Sequence, residues 1–250
     1  MDFITLDANN IDNEHICCAI SGSEALDKKT WLKEQFASGL TFVKADVRGK
    51  VFIEYMPSEQ AWSPINAPNY LFINCFWVSG QYKGQGLANQ LLDKCIVDAR
   101  AKKKDGLIVL SSNKKKPFLS EPAYLKYKGF LVADTLPPYY ELLYLPLTKQ
   151  AVKPAFLDSV QKPPSEKNDF TLYYTNQCPF AEKYANMLVK IAKENSIQLK
   201  LIKFTNRQQA QNAPNPFTTY SLFYQGEFIS NEILSEKKFL QLIEKKVKGV

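Results

Sequence analysis

A cluster of glycines beside a lysine is the segment whose residue types are best suited to chemistry. Residues 79–86 contain three glycines and Lys83. Gly84 and Gly86 lack a Cβ atom, so the backbone can bend sharply there and approach a ligand closely. If a helix begins after Gly86, its first amide groups point outward and its dipole adds about half a positive charge. A phosphate or pyrophosphate would accept hydrogen bonds from those amides, and Lys83 would add a cation.

The neighbouring segments predict the elements that hold this loop. Residues 69–78 are nearly all apolar, β-branched or aromatic, which is typical of a central strand covered on both faces. From Leu87 onward, apolar residues recur at helical spacing as far as Ala99. A second buried strand is predicted at 107–112, parallel to the first if the helix between them is a right-handed crossover.

Two familiar phosphate loops do not fit these residues. A P-loop needs lysine and serine or threonine after its last glycine, whereas Gly86 is followed by Leu87 and Ala88. The dinucleotide pattern G-x-G-x-x-G fails at Asn89. The pattern Q/R-x-x-G-x-G/A does fit, with Lys83, Gly86 and Ala88 at its fixed positions. Lysine in the first place keeps the positive charge but loses the planar fork of arginine.

That pattern resembles the acetyl-CoA loop of the GNAT acetyltransferase superfamily. The resemblance implies acetyl-CoA as the acetyl donor, with its pyrophosphate on the amides of residues 83–88 and its pantetheine beside residues 76–78. The residues alone also allow a glycine turn in an ordinary βα unit. The cofactor-binding residues implied by the resemblance are Phe76, Trp77, Val78, Lys83, Gly84, Gln85, Gly86, Leu87, Ala88 and Asn113.

The order of predicted elements extends the resemblance over residues 1–147. It implies an α+β GNAT fold, a mixed central sheet with flanking helices, for a domain at 1–150. Prolines and polar residues then predict a linker at 151–168. Residues 169–250 predict a β-α-β-β-β-α order that looks thioredoxin-like. Segments 212–224 and 231–239 resemble the YoaP-like domain, which occurs as the C-terminal partner of bacterial GNAT proteins.

Acetyl transfer to an amine needs a base, a donor for the developing oxyanion and an acid for the leaving thiolate. Glu54, on the predicted hairpin strand 51–56, is the base candidate, although a solvated strand face explains it equally well. An irregular end of the central strand near 76–78 would supply a backbone N–H. In the family that this chain resembles, a tyrosine often protonates the leaving thiolate. The resemblance places that tyrosine where this chain has Leu125. Tyr124 and Tyr127, which flank this position, are therefore the candidates for the acid.

Other side chains on or near the central strand have two interpretations each. Cys75 is either an acyl-carrying nucleophile or a small buried hydrophobic residue. Strand alternation predicts that Asn74 and Cys75 point to opposite faces. Trp62 and Tyr70 either line an acceptor pocket or pack in the core.

The second predicted domain has one reactive candidate. Cys178 is predicted at a helix N-terminus, which favours its thiolate. Position 181 is alanine, so dithiol cycling within the C-x-x-C spacing is excluded, and a monothiol redox role or a structural remnant is left. Pro216 is a candidate cis-proline.

Composition excludes several classes of protein. The 250 residues contain five cysteines without C-x-x-C spacing and one histidine, His15, so neither a disulfide framework nor a metal site is predicted. His15 is predicted to be a solvated loop residue.

The absence of a long apolar run and of a leader predicts a cytoplasmic protein without a membrane partner. The net charge of +7 suits an anionic cofactor and does not indicate nucleic-acid binding. Lysines 102–104 and 114–116 are predicted as solvated surface or as help in holding a phosphorylated cofactor.

These inferences together predict an acetyl-CoA-dependent N-acetyltransferase that moves the acetyl group directly to a primary amine in a ternary complex. The acceptor class is a small-molecule or peptide amine, and no stretch specifies the acceptor or the oligomeric state. The alternative is an acyl-CoA-binding or partner-binding module with little catalysis and a monothiol redox role for Cys178.

Overall fold

The computed structural model describes residues 1–16, 23–162, 164 and 168–248, and Cys17 and Cys18 lie outside this range. The chain divides into two compact units, one of residues 1–61 and 65–157, the other of residues 62–64 and 158–250. The domain boundaries given above stay a prediction.

The first unit alternates strands and helices in the predicted order. Its elements are β1 (Phe3–Leu6), α1 (Ser23–Phe36), β2 (Thr41–Ala45), β3 (Val51–Pro57), β4 (Ile65–Asn66), β5 (Tyr70–Val78), α2 (Leu87–Ala101), β6 (Gly106–Ser112), α3 (Pro122–Tyr127), β7 (Leu131–Leu136), β8 (Tyr140–Pro146) and β9 (Ala155–Phe156).

One seven-stranded sheet organises this unit, in the order β1-β2-β3-β5-β6-β8-β7. β5 and β6 are parallel and are joined by the crossover helix α2, whereas the other neighbouring pairs are antiparallel. The predicted mixed sheet with flanking helices is therefore confirmed. The core lies where α2 covers the sheet, because Leu87, Leu91, Leu92, Cys95 and Ala99 are all buried on one helix face.

Three local features differ from the sequence-based expectation. β4 and β9 pair with each other, so the predicted linker at 151–168 contains a short strand. β7 continues to Leu136. The peptide bond between Pro137 and Pro138 is cis, whereas the bond before Pro216 is trans, so the predicted cis-proline at 216 is wrong.

The second unit has its own sheet and core. Its elements are β10 (Phe170–Tyr174), α4 (Ala181–Glu194), β11 (Leu199–Lys203), α5 (Arg207–Gln211), β12 (Tyr220–Tyr224), β13 (Glu227–Ser230) and α6 (Glu236–Ile243). The strand order is β11-β10-β12-β13, with β10 and β11 parallel and the other pairs antiparallel. Side chains of α4 and α6 pack against this sheet in one apolar cluster. The hairpin across Gln225 and Gly226 is confirmed, and a thioredoxin-like classification stays a prediction.

Candidate active site

The two parallel strands of the sheet part in the middle of β5. β5 pairs with β6 from Tyr70 to Ile73, yet it continues to Val78 along β3. β6 meanwhile remains paired with β8 up to Ser112. The carboxyl ends of β5 and β6 therefore diverge, and the region beyond Ile73 can admit a ligand between them.

A β-bulge lies at the point of divergence. Glu54 pairs with Cys75 and Tyr55 pairs with Ile73, so Asn74 is the extra residue of β5. The bulge places both Asn74 and Cys75 opposite Glu54, so the strand alternation on which the expectation of opposite faces rests is interrupted there. The irregularity expected near residues 76–78 lies at Asn74 instead.

The glycine loop has the backbone conformation that its sequence requires. Gly84 and Gly86 have φ angles of 76° and 75°, in the left-handed region that favours glycine. Gly86 is the N-cap of α2, so the outward-facing amides of residues 87–89 follow it directly. A Cβ atom built on either glycine would meet nothing within 4 Å. The loop therefore presents open space beside the helix N-terminus.

A cavity of about 890 Å³ lies between this loop, the end of β5 and the segment that leads into α3. Its volume falls within the range of sites that take cofactors and drug-sized ligands. The lining residues are Phe76, Trp77, Val78, Tyr82, Lys83, Gly84, Gly86, Leu87, Ala88, Asn89, Lys115, Lys116, Pro117, Phe118, Leu119, Ser120, Glu121, Tyr124 and Leu125.

Eight of the ten predicted cofactor-binding residues border this cavity, and two do not. Gln85 instead donates from Nε2 to the Gln81 carbonyl oxygen at 2.7 Å. Asn113 is exposed at the end of β6, where its backbone N–H donates to the Tyr139 carbonyl oxygen at 3.0 Å. Asn113 does not border the cavity, and its role as a cofactor-facing asparagine stays a prediction.

Sequence reasoning missed the wall formed by residues 115–121. Lys115 pairs with Glu121 at 3.4 Å, and the Lys116 ammonium lies 4.4 Å from the centre of the Tyr139 ring. Phe118, 45% exposed, adds an apolar surface. The three lysines at 114–116 were one sequence signal for this wall. The apolar residues of the wall are too scattered in the sequence to mark a site.

Of the two candidate tyrosines, one borders the cavity. The Tyr124 ring lies 5.8 Å from the Phe76 ring, and its hydroxyl donates to Asn89 Oδ1 at 3.1 Å. Burial raises the pKa of the Tyr124 hydroxyl to about 12, and the carboxylate of Asp93 acts in the same direction. The Tyr127 ring is 84% exposed in the last turn of α3, away from the cavity lining.

A buried polar network lies beside the bulge. Lys28 and Glu54 are both 0% exposed, and Lys28 Nζ lies 2.7 Å from Glu54 Oε2. Asn74 Nδ2 donates to Glu54 Oε1 at 3.1 Å. The alternative that Glu54 is on a solvated strand face is therefore wrong. Full burial also removes Glu54 from direct contact with a ligand in the cavity.

The remaining candidates have ordinary structural settings. Tyr70 is fully buried and donates to the Val152 carbonyl oxygen at 2.8 Å. Trp62 is buried as well, and neither side chain borders the cavity. Cys75 is half-buried, so it is not the fully buried thiol of one interpretation. Cys178 is half-buried and precedes the start of α4 by three residues.

Among the described residues, no group of three or more His, Cys, Asp or Glu side chains could hold a metal ion. Within the same part of the chain, no helix is long and apolar enough to cross a membrane.

Comparison with known proteins shows the family of this chain. Residues 9–117 match the acetyltransferase (GNAT) family, and residues 198–241 match the YoaP-like family. The uncharacterized N-acetyltransferase YoaP of Bacillus subtilis (strain 168) is 41% identical over 247 residues, which are 97% of this chain and 98% of the relative. The chain therefore belongs to the GNAT family of N-acetyltransferases.

Solved structures with weaker similarity include two acetyltransferases. The GNAT-family protein YhbS of Escherichia coli, solved in complex with CoA, is 13% identical, with a TM-score of 0.42 over 64% of this chain and 91% of that one. The putative acetyltransferase yncA of Salmonella typhimurium, solved with acetyl-CoA, is 13% identical, with a TM-score of 0.41 over 60% of this chain and 97% of that one.

Proposed function

We propose that this chain transfers the acetyl group of acetyl-CoA directly to the primary amine of a small-molecule or peptide acceptor. The observation that carries the proposal is the 890 Å³ cavity, which joins the glycine loop and the N-terminus of α2 to the diverging end of β5. A pyrophosphate fits the loop, since the space at Gly84 and Gly86 is open and Lys83 lies at its rim. The apolar surfaces of Phe76 and Val78 suit the pantetheine arm.

The chain supplies few groups to the reaction. The amine nitrogen attacks the thioester carbonyl carbon, the carbon–sulfur bond breaks, and the thiolate takes a proton. Tyr124 is the acid in this proposal, because it borders the cavity and its raised pKa keeps the hydroxyl protonated at neutral pH. The acceptor ammonium loses one proton to water in the open cavity before the attack, and the second proton that the nitrogen loses after the attack returns to the Tyr124 phenolate.

The bulge gives the oxyanion its donor in this proposal. A backbone N–H at a bulge is free of the strand ladder and can point at a developing negative charge. Glu54 then acts as a positioning residue: it holds Asn74 by the 3.1 Å hydrogen bond and is itself held by Lys28. A direct base role for Glu54 does not suit its full burial.

Calorimetric titration of acetyl-CoA and CoA tests the cofactor part of the proposal. We expect micromolar binding to the wild type and at least about 100-fold weaker binding to Gly86→Glu. At about 5 Å and an effective dielectric constant of about 20, one pair of like charges repels by about 3 kcal/mol. Gly86→Gln is the matched control, because it has the same backbone strain and nearly the same bulk without the charge.

A folded wild type that binds neither ligand would overturn the proposal. If binding is found, an amine panel is screened by the release of the CoA thiol. Binding without release for any amine would instead favour the acyl-CoA-binding module. The cytoplasmic location and the absence of nucleic-acid and membrane partners stay predictions.

A further inference from the structure

A second cavity of about 300 Å³ lies on the first unit, beside the loop that follows β5. Its lining has three basic side chains, His15, Arg48 and Lys50, and no acidic one. They come from two segments, the stretch after β1 and the turn between β2 and β3, and residues 79–82 complete the lining. Two cations beside a histidine, with no carboxylate, favour an anion as the ligand.

His15 is the least exposed of the three basic side chains in this cavity. His15 Nδ1 is buried and has no hydrogen-bond partner among the described residues. The side chain is half-buried, so His15 is not the solvated residue that the sequence predicts. Because Nδ1 is buried, an anion in the cavity would act on His15 through its charge.

The second cavity adjoins the first through one aromatic ring. Tyr82 lines both cavities. A Cβ atom on Gly49 would lie only 2.2 Å from Tyr82 Cε2, so the ring packs directly on the backbone of the β2–β3 turn. A ligand in the second cavity would therefore lie next to the cofactor loop without entering the acetyl-CoA cavity.

We propose that His15, Arg48 and Lys50 form a binding site for a phosphate-type oxyanion, carried either by the acetyl acceptor or by the 3′-phosphate of the cofactor. The guanidinium of Arg48 can bind two oxygens through its planar fork, and Lys50 adds a point charge. This inference deepens the proposed transfer reaction and rests on it, because the oxyanion belongs to the acceptor or to the cofactor of that reaction.

The electrostatics of His15 agree with the site. Burial lowers the pKa of His15, and the cations Lys44, Lys29 and Arg48 lower it further, whereas Glu14 raises it. Lys44 is itself paired with Glu14 at 2.8 Å. The negative charge of a bound anion would oppose those cations, so it raises the pKa of His15. By linkage, protonation of His15 tightens anion binding to the same extent.

Because the chain has a single histidine, one NMR signal reports on this cavity. The His15 Cε1–H resonance is titrated with pH in chloride and in inorganic phosphate at equal ionic strength. We expect phosphate to raise the pKa of His15 and to bind about tenfold more tightly to the protonated form. Arg48→Gln and Lys50→Gln should abolish this effect, while Lys149→Gln, an exposed lysine outside the cavity, should leave it unchanged.

Two further titrations identify the source of the anion. A rise in the pKa of His15 with CoA but not with 3′-dephospho-CoA assigns the site to the cofactor phosphate. A rise with inorganic phosphate that persists when CoA is bound assigns it to the acceptor. An unchanged pKa of His15 in phosphate, CoA and dephospho-CoA would overturn the inference. Calorimetric CoA binding in the same samples separates that result from failure of the proposed function.

Discussion

Removal of one partner of the buried Lys28–Glu54 pair should strongly destabilise the first unit. Lys28 Nζ lies 2.7 Å from Glu54 Oε2, and both side chains are almost fully shielded from water. In Lys28→Met the apolar stem is kept, but the Glu54 carboxylate stays buried without its cation. Such a change costs about 3–5 kcal/mol of unfolding free energy. Urea denaturation followed by tryptophan fluorescence measures the unfolding free energy. Trp31 reports on this region, because Lys28 Nζ lies 4.3 Å from the centre of its ring.

The chain provides a matched control on the same helix. Lys33 pairs with Asp12 at the same 2.7 Å distance, but the side chains are 41% and 59% exposed. An exposed pair contributes about 0–1 kcal/mol, so Lys33→Met should change the unfolding free energy little. The contrast isolates burial as the cause, because helix, residue type and pair distance are the same.

A double variant tests the charge argument itself. In Lys28→Met/Glu54→Gln no buried charge is left, and the Gln oxygen can still accept from Asn74. We expect the double variant to regain most of the stability that the single variant loses. A loss below about 1 kcal/mol in Lys28→Met, or no recovery in the double variant, would refute the reasoning.

Two further predictions concern single side chains. Once an active amine is found, Tyr124→Phe should lower the rate of CoA release by about 100-fold with little change in acetyl-CoA affinity. Tyr127→Phe, which alters an exposed ring, should match the wild type. Equal rates in the wild type and both variants would remove Tyr124 from the mechanism. Cys95 should resist alkylation in the folded protein, since it is 0% exposed and burial raises the pKa of its thiol. Peptide mapping by mass spectrometry checks this, with the half-buried Cys75 and Cys178 labelled before Cys95. Early modification of Cys95 would contradict the packing of α2.

The loop and its flanking elements could be predicted because their signals are local. The apolar run of β5, the positions of Gly84 and Gly86 and the helical spacing after Leu87 are all contained in about thirty consecutive residues. Each of these signals depends only on residues that are neighbours in the sequence. The loop was therefore readable without any knowledge of distant contacts.

The catalytic side of the cavity could not be read in the same way. Lys28 meets Glu54 across 26 residues, and the bulge at Asn74 depends on how β3 pairs with β5. A one-residue insertion in a ladder leaves no mark in the composition of either strand. Glu54 is likewise buried because it contacts Lys28 of α1. Strand alternation alone could therefore not exclude a solvent-exposed Glu54.

Tyr124 and Leu125 are neighbours in α3 and differ in their surroundings. Leu125 is 1% exposed and packs in the same apolar cluster as Phe130 and Leu143, so a tyrosine there would have to place its hydroxyl in or near that cluster. Overpacking of that kind costs about 1–3 kcal/mol. Successive residues of a helix point about 100° apart, so the residue before Leu125 faces a different direction. In α3 both residues border the cavity, and Asn89 holds the Tyr124 hydroxyl. Leu125 also packs in the apolar cluster and has no ionisable group, so Tyr124 is the residue of the two that can supply a proton, and its role as the acid stays a proposal.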